Sequence, residues 1–200
     1  MLISHTHYDH LDRPTILRLG NTPRYFIPTN TKAWFAQVGA KKATELEWWQ
    51  GTDAGTVKIS SVPAEHWSRR KVFGKEKAGW GGYVIESSVG NVYFAGDTGF
   101  HSQYFKDIGK RFEKIDVGLI PIGAYYPREI FGRYHIDPRE AIIVHQEVGA
   151  KRSVGMHWGT FMLTQEPLDE PPKELARQRE AEGIAPEEFS VLKIGETRSL

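Results

Sequence analysis

Apolar residues fall along this chain in short runs, most of them closed by glycine or polar turn residues, and the pattern predicts helices and strands in alternation. Asp12 stands where a helix N-cap belongs, Pro14 lies in the first turn, and Ile16, Leu17 and Leu19 lead to Gly20, which ends a short helix. Tyr25 to Ile27 reads as a strand, and Thr29 or Asn30 caps a helix running to about Val38 and Gly39. Residues 44–49 and 57–62 read as strands separated by a turn over 51–55. Residues 81–86 and 91–95 form a hairpin about 87–90, and 117–122 is an apolar run of buried-strand type. Asp137, Pro138 and Glu140 have the spacing of a capping box, opening a helix that ends near Gly149. A strand over 153–156, a helix over 170–182 closed by Gly183 and a strand over 191–194 complete the pattern. Such alternation, with several strand pairs close enough for hairpins, predicts a layered α/β domain with mixed sheets over residues 1–200. The charge run over 71–77 reads as a solvated polar loop.

Composition narrows the chemistry. The 200 residues carry 26 Lys and Arg against 25 Asp and Glu, a formal charge of +1. No global field therefore favours nucleic acid, and no basic stripe interleaved with aromatics suggests it locally. There is no cysteine, so disulfides, thiolate metal sites and a cysteine nucleophile are excluded. Any metal must be held by imidazole and carboxylate, which suits Zn, Fe or Mn. No apolar run approaches the ~20 residues of a membrane-spanning helix, and the default expectation is a cytoplasmic protein.

The strongest chemical signal is His5-Thr6-His7-Tyr8-Asp9-His10. Two histidines two apart on extended backbone project to one side and can clamp one cation. Asp9 and His10 follow in a turn and can reach a second, because four ligands within six residues would crowd a single ion. Leu2 and Ile3 read as the last residues of a buried strand behind this loop, so an upstream part of the first sheet is expected to be missing. Three further donors stand at strand ends: His66 after residues 57–62, Asp97 between Gly96 and Gly99, and His157 after residues 153–156. The glycines around Asp97 let the backbone approach another group closely.

This ordered set resembles the metallo-β-lactamase superfamily. The flanking words Pro63-Ala64-Glu65-His66-Trp67, Ala95-Gly96-Asp97-Thr98-Gly99, Ile120-Pro121-Ile122-Gly123-Ala124-Tyr125, His135-Ile136-Asp137-Pro138 and His157-Trp158-Gly159-Thr160-Phe161 are similar to the branch containing N-acyl-phosphatidylethanolamine-hydrolysing phospholipase D. The resemblance implies a four-layer αββα sandwich of mixed sheets, here short of its first strands. It implies two Zn²⁺, with Fe or Mn taking similar donors: His5, His7 and His66 on one, Asp9, His10 and His157 on the other, Asp97 bridging. It places His135 beside them against substrate. His101 and His145 match no metal position; His145 is expected to be packed and His101 exposed. Asp12 and Asp116 are candidate partners for the outer ring nitrogens.

The function implied is phosphodiester hydrolysis by a hydroxide generated between two cations, with Asp97 orienting it, Asp9 helping to handle a proton and His135 donating to a substrate oxygen. The substrate class suggested is N-acyl-phosphatidylethanolamine, cleaved to an N-acylethanolamine and phosphatidic acid at a peripheral membrane contact. Trp34, Phe35, Trp48, Trp49, Phe131 and Phe161 are candidates for an apolar access route, or else core. Two alternatives stay open: a soluble phosphodiester or sugar-phosphate lactone as substrate, and a metal-binding remnant without turnover.

Overall fold

The structure is a computed structural model that describes residues 1–70 and 78–199; the charge run at 71–77 lies outside the described residues. In chain order the elements are α1 (Arg13–Leu19), β1 (Tyr25–Pro28), α2 (Lys32–Gln37), β2 (Ala43–Leu46), β3 (Gly51–Asp53), β4 (Val57–Val62), β5 (Gly82–Ser87) and β6 (Val92–Phe94). They continue with α3 (Ser102–Arg111), β7 (Ile115–Pro121), α4 (Arg128–Phe131), α5 (Pro138–Glu147), β8 (Ala150–Met156), α6 (Glu170–Glu182) and β9 (Phe189–Val191). Strands β1 and β2 pair in parallel, and Leu2 bridges to Phe26 on the other side of β1. The remaining strands form one mixed sheet in the order β3-β4-β5-β6-β7-β8-β9, antiparallel as far as β6 and parallel beyond it.

Alternation along the strands sorts the side chains into layers. Tyr25 and Ile27 of β1 face Ile16 of α1 and Trp34 and Phe35 of α2. Phe26, between them, faces the other way and meets Ile59, Tyr83 and Phe94 of the large sheet. On the far face of that sheet Val84 and Tyr93 pack with Phe105 of α3, Ile142 of α5 and Leu175 of α6. The order of layers is helix, sheet, sheet, helix, as the resemblance implies. Polar links cross between the sheets. The Tyr83 hydroxyl donates to the carbonyl of Ile3 at 2.8 Å, with that of Phe26 at 3.3 Å, and the Gly81 amide donates to Ser4 at 3.0 Å.

The caps explain where helices start. Asp12 accepts from the Thr15 amide at 2.9 Å, and Asp137 and Glu140 make both halves of the capping box. α2 starts at Lys32 rather than after Thr29 or Asn30. The Thr31 hydroxyl is turned to the Pro28 carbonyl, and Glu45 on β2 accepts from the Thr31 and Lys32 amides instead, each at 2.7 Å.

Three expectations are corrected. The run 44–49 is strand only as far as Leu46, as β2 in the small sheet, and the chain turns at Trp49, φ +70°, to form β3 from residues expected in the turn. Helix α3 was not anticipated, because its N-cap residue His101 makes no side-chain cap bond and Gly109 lies inside it. That glycine is needed: a Cβ there would lie 2.5 Å from the Glu147 carbonyl oxygen, so it sets the close packing of α3 on α5. The last strand lies at Phe189–Val191, two residues early, because fully buried Phe189 takes the register opposite Ser153 while Ile194 is 77% exposed.

Candidate metal centre

All the sequence-selected donors lie where loops leave the ends of β4, β6 and β8 and the small sheet's edge. The His5–His10 segment enters from Ile3, whose amide bonds to Phe26, and turns through Leu11 N to His7 O at 2.9 Å. Leu11 is completely buried and fixes the exit from the turn. Residues after β4 and β6 are laced together: Gly99 N donates to Glu65 O at 2.7 Å, and Glu65 N to the Thr98 hydroxyl at 2.9 Å. This lacing brings His66 beside Asp97. The glycines flanking Asp97 serve close approach, since a Cβ on Gly96 would sit 2.6 Å from that of Ser4 and one on Gly99 would strike the Arg133 carbonyl. His157 leaves β8 with φ +59°, which turns its ring back over the strand ends.

The ligand atoms form two converging groups, His5, His7 and His66 in one and Asp9, His10, Asp97 and His157 in the other. In the first, His7 Nδ1 lies 2.9 Å from His5 Nε2 and 3.3 Å from His66 Nε2. In the second, His10 Nε2 lies 3.2 Å from Asp9 Oδ2, 3.1 Å from Asp97 Oδ2 and 3.2 Å from His157 Nε2. Nitrogens held tetrahedrally at ~2.0–2.1 Å from one cation stand ~3.3–3.4 Å apart, so both groups have nearly the spacing of a coordination shell. Asp97 Oδ2 also lies 3.8 Å from His5 Nε2 and 4.0 Å from His66 Nε2, facing both groups at once.

The protonation states fit the same purpose. His66 Nδ1 donates to the Tyr134 carbonyl at 3.0 Å, which leaves the lone pair of Nε2 directed inward. Burial lowers the pKa of His5 and His7, pushes that of His66 to about 3 and that of His135 to about 4. These rings are neutral donors. Burial opposes charge in the other group too, yet there the carboxylates prevail: hydrogen bonds that His10 donates to Asp9 and Asp97 raise its pKa to about 10, and Asp97 raises that of His157. Burial likewise acts against ionised Asp97, but His157 and His10 hold it well below the usual carboxylate range. Asp97 Oδ1 and His7 Nε2 are buried without a partner among the described residues. Neutral imidazoles in one group, and in the other imidazoles and ionised carboxylates that bind a cation by giving up protons, are the donor chemistry of a divalent cation site, and these residues fit one.

Residues 1–158 match the family described as the beta-lactamase superfamily domain. The chain belongs to the β-lactamase superfamily. Within the superfamily it is 35% identical over 209 residues to N-acyl-phosphatidylethanolamine-hydrolyzing phospholipase D 1 of Caenorhabditis elegans, covering 98% of this chain but 59% of that protein. It is 31% identical over 188 residues to a metal-dependent hydrolase of Methanopyrus kandleri, covering 92% of this chain and 75% of the relative. Among solved structures it is similar to Igni18, a metallo hydrolase of Ignicoccus hospitalis, with TM-score 0.74 and 25% identity over 98% of this chain and 76% of that one.

Several expected roles fall elsewhere on this superfamily scaffold. Asp12 is committed to Thr15 at the start of α1, and Asp116 accepts from the Asn91 amide at 2.9 Å; neither meets a ligand ring. The outer nitrogens are met instead by Ser4, whose hydroxyl lies 3.0 Å from His5 Nδ1, and by the Tyr134 carbonyl, partners that no spacing in the sequence reveals. His135 stands beside the centre, its ring 5.2 Å from that of His66 and 5.9 Å from that of His157. His145 is buried against Ser153, as expected. His101 is half-buried and stacks on Tyr104 at 3.8 Å, rather than standing exposed. Of the candidate access aromatics, Trp34 and Phe35 are core, Trp48, Trp49 and Phe131 are half-buried, and Phe161 alone is exposed. A cleft runs from Asp9, His10 and His157 to Phe161, Met162 and Leu163, whose side chains stand in solvent. Among the described residues no helix is long and apolar enough to cross a membrane.

Proposed function

We propose that this chain is a dinuclear zinc hydrolase of phospholipase D type, cleaving N-acyl-phosphatidylethanolamine to an N-acylethanolamine and phosphatidic acid. The observation that carries the reading is the pair of donor groups meeting at Asp97 Oδ2, with a cleft leading from one of them to the exposed apolar side chains of Phe161, Met162 and Leu163. His5, His7 and His66 would hold one cation, Asp9, His10 and His157 the other, and Asp97 both. Bound there, two divalent cations would supply an acidified water as nucleophile and neutralise charge on the phosphoryl oxygens.

The chain's own groups do the rest. Asp97, ionised and buried, fixes the separation of the two donor groups and orients the attacking water. Asp9 stands at the cleft, where it would take the proton of the attacking water and pass it to the alcohol oxygen as that P–O bond breaks. His135 is neutral, so one ring N–H remains to hold a non-bridging oxygen. The acyl chains would follow Phe161, Met162 and Leu163 outward, which puts this edge against a lipid surface. The similarity to the worm phospholipase D supports the lipid assignment.

The test is turnover by zinc-loaded protein on N-acyl-phosphatidylethanolamine in mixed micelles, beside bis(p-nitrophenyl) phosphate in buffer. Release of N-acylethanolamine is expected. Turnover of the soluble diester alone would move the substrate to the soluble class, and none on either at full metal loading would leave a metal-binding remnant.

A further inference from the structure

Four of the candidate ligands sit on a six-residue turn, and such a turn cannot hold a coordination geometry by its own backbone. Something behind it must. Arg70 is the residue placed to do so. It is buried, 8% exposed, after the segment that carries His66. Its Nη1 donates to the Leu11 carbonyl, just past His10, and lies 3.5 Å from the Thr6 carbonyl, between His5 and His7. The guanidinium carbon stands 4.4 Å from the ring centroid of Tyr8, between His7 and Asp9. One side chain therefore touches the turn at its start, middle and end.

On its other side the guanidinium lies 5.0 Å from the ring of Trp34, a buried residue of α2. A guanidinium this buried is costly unless acceptors and ring faces take its donors and charge, and here the turn itself supplies most of them. Ser68, two residues earlier, adds a parallel tie: its hydroxyl accepts from the Thr6 amide at 3.2 Å and donates to the Gly79 carbonyl at 2.8 Å.

We propose that Arg70 is a positioning residue that holds the His5–His10 turn in metal-binding geometry, fixing ligands of both cations from behind. The inference rests on the metal-site reading above, though not on the identity of the substrate. Partners behind metal ligands typically contribute 10–100-fold to affinity, and Arg70 is expected to contribute within that range.

The experiment measures zinc affinity of the full chain by competition with a chromophoric chelator, and the visible absorption of the cobalt-substituted protein. Arg70→Met keeps the stem in place and removes the donors. It is expected to weaken zinc binding by about 10-fold or more and to alter the cobalt spectrum, while unfolding stays cooperative. Arg70→Lys, which keeps the charge but not the fork, should recover part of the affinity. Should Arg70→Met not fold, Arg70→Lys and Ser68→Ala carry the same comparison, with smaller losses expected from each. Unchanged affinity and an unchanged cobalt spectrum in folded variants would overturn the proposal. Failure of the metal-site reading shows differently, as a wild-type chain that takes up no metal, and it overturns this inference as well. Failure of the lipid assignment leaves the affinities as they are.

Discussion

The two donor groups of the centre use the same residue types and end in opposite electrostatic states. His5, His7 and His66 are rings kept neutral by burial, with Asp97 acting on all three from the edge and Asp9 on His7 as well. His10 and His157 lie against Asp9 and Asp97 at 3.1–3.6 Å, and these carboxylates raise the pKa of both rings, that of His10 to about 10. The first group is poised to accept a cation directly. The second is self-neutralising without one and must release protons to bind. Burial and the count of nearby carboxylates make the difference, not the identity of the ligand.

Asp97 is the residue the groups share, so its loss should have the largest effect. Asp97→Ala is expected to lower bound zinc from about two equivalents to below one half, and turnover by at least about 10²–10³-fold. Metal analysis of the purified variant checks this; retention of one full equivalent would mean that the groups are independent. Leu11→Ala comes next. It empties a fully buried position behind the turn and should cost about 2–5 kcal/mol in urea unfolding. It should also weaken metal binding, whereas an equal truncation at Ile142 on the far side of the large sheet should cost stability alone. Equal metal affinity in the two variants would show that the turn holds itself.

The smallest effect sharpens the contrast between the groups. In metal-free protein, His10 has its folded pKa raised to about 10, above the unfolded 6.5, so its contribution is complete below pH ~6.5 and is lost as pH rises toward 10. His66 and His135 have theirs depressed to about 3 and about 4, so burying them neutral costs stability increasingly as pH falls below 6.5. Melting temperature in EDTA should therefore peak near pH 6.5 and decline on both sides. His10→Gln should flatten the decline between pH 6.5 and 9.5, and saturating zinc should widen the gap to the metal-free form over that interval. A wild-type curve without an alkaline decline contradicts the assignment of the proton to His10.

Much of the centre was legible in the sequence because ligands must be particular residue types at strand ends. The seven candidate ligands and His135 come together in space from five separate segments. Their supports were not legible. Ser4 is one serine among many, Tyr134 acts through its carbonyl, and Arg70 stands at the edge of a charge run that reads as surface. What each meets depends on tertiary packing, which the local pattern does not encode. The same holds for the fold. Helices with side-chain caps, such as those begun by Asp12 and Asp137, could be read from the chain, whereas α3 is stabilised by Phe105 and Ile108 against its neighbours and carries no signal at its start. The run 44–49 was readable as strand but not by partner, since both sheets offer an apolar face.

The Tyr83 hydroxyl gives the centre a mechanical property. Four of the candidate ligands ride on the small sheet's edge and three on the large sheet, so the site is only as well defined as the alignment between them. A slip of one residue along a strand is ~3.3 Å, as much as the separation of His7 from His66, and would pull the two halves of the first group apart. The phenol reaches across the seam to Ile3 O, two residues before His5, and works as a dowel against that shear.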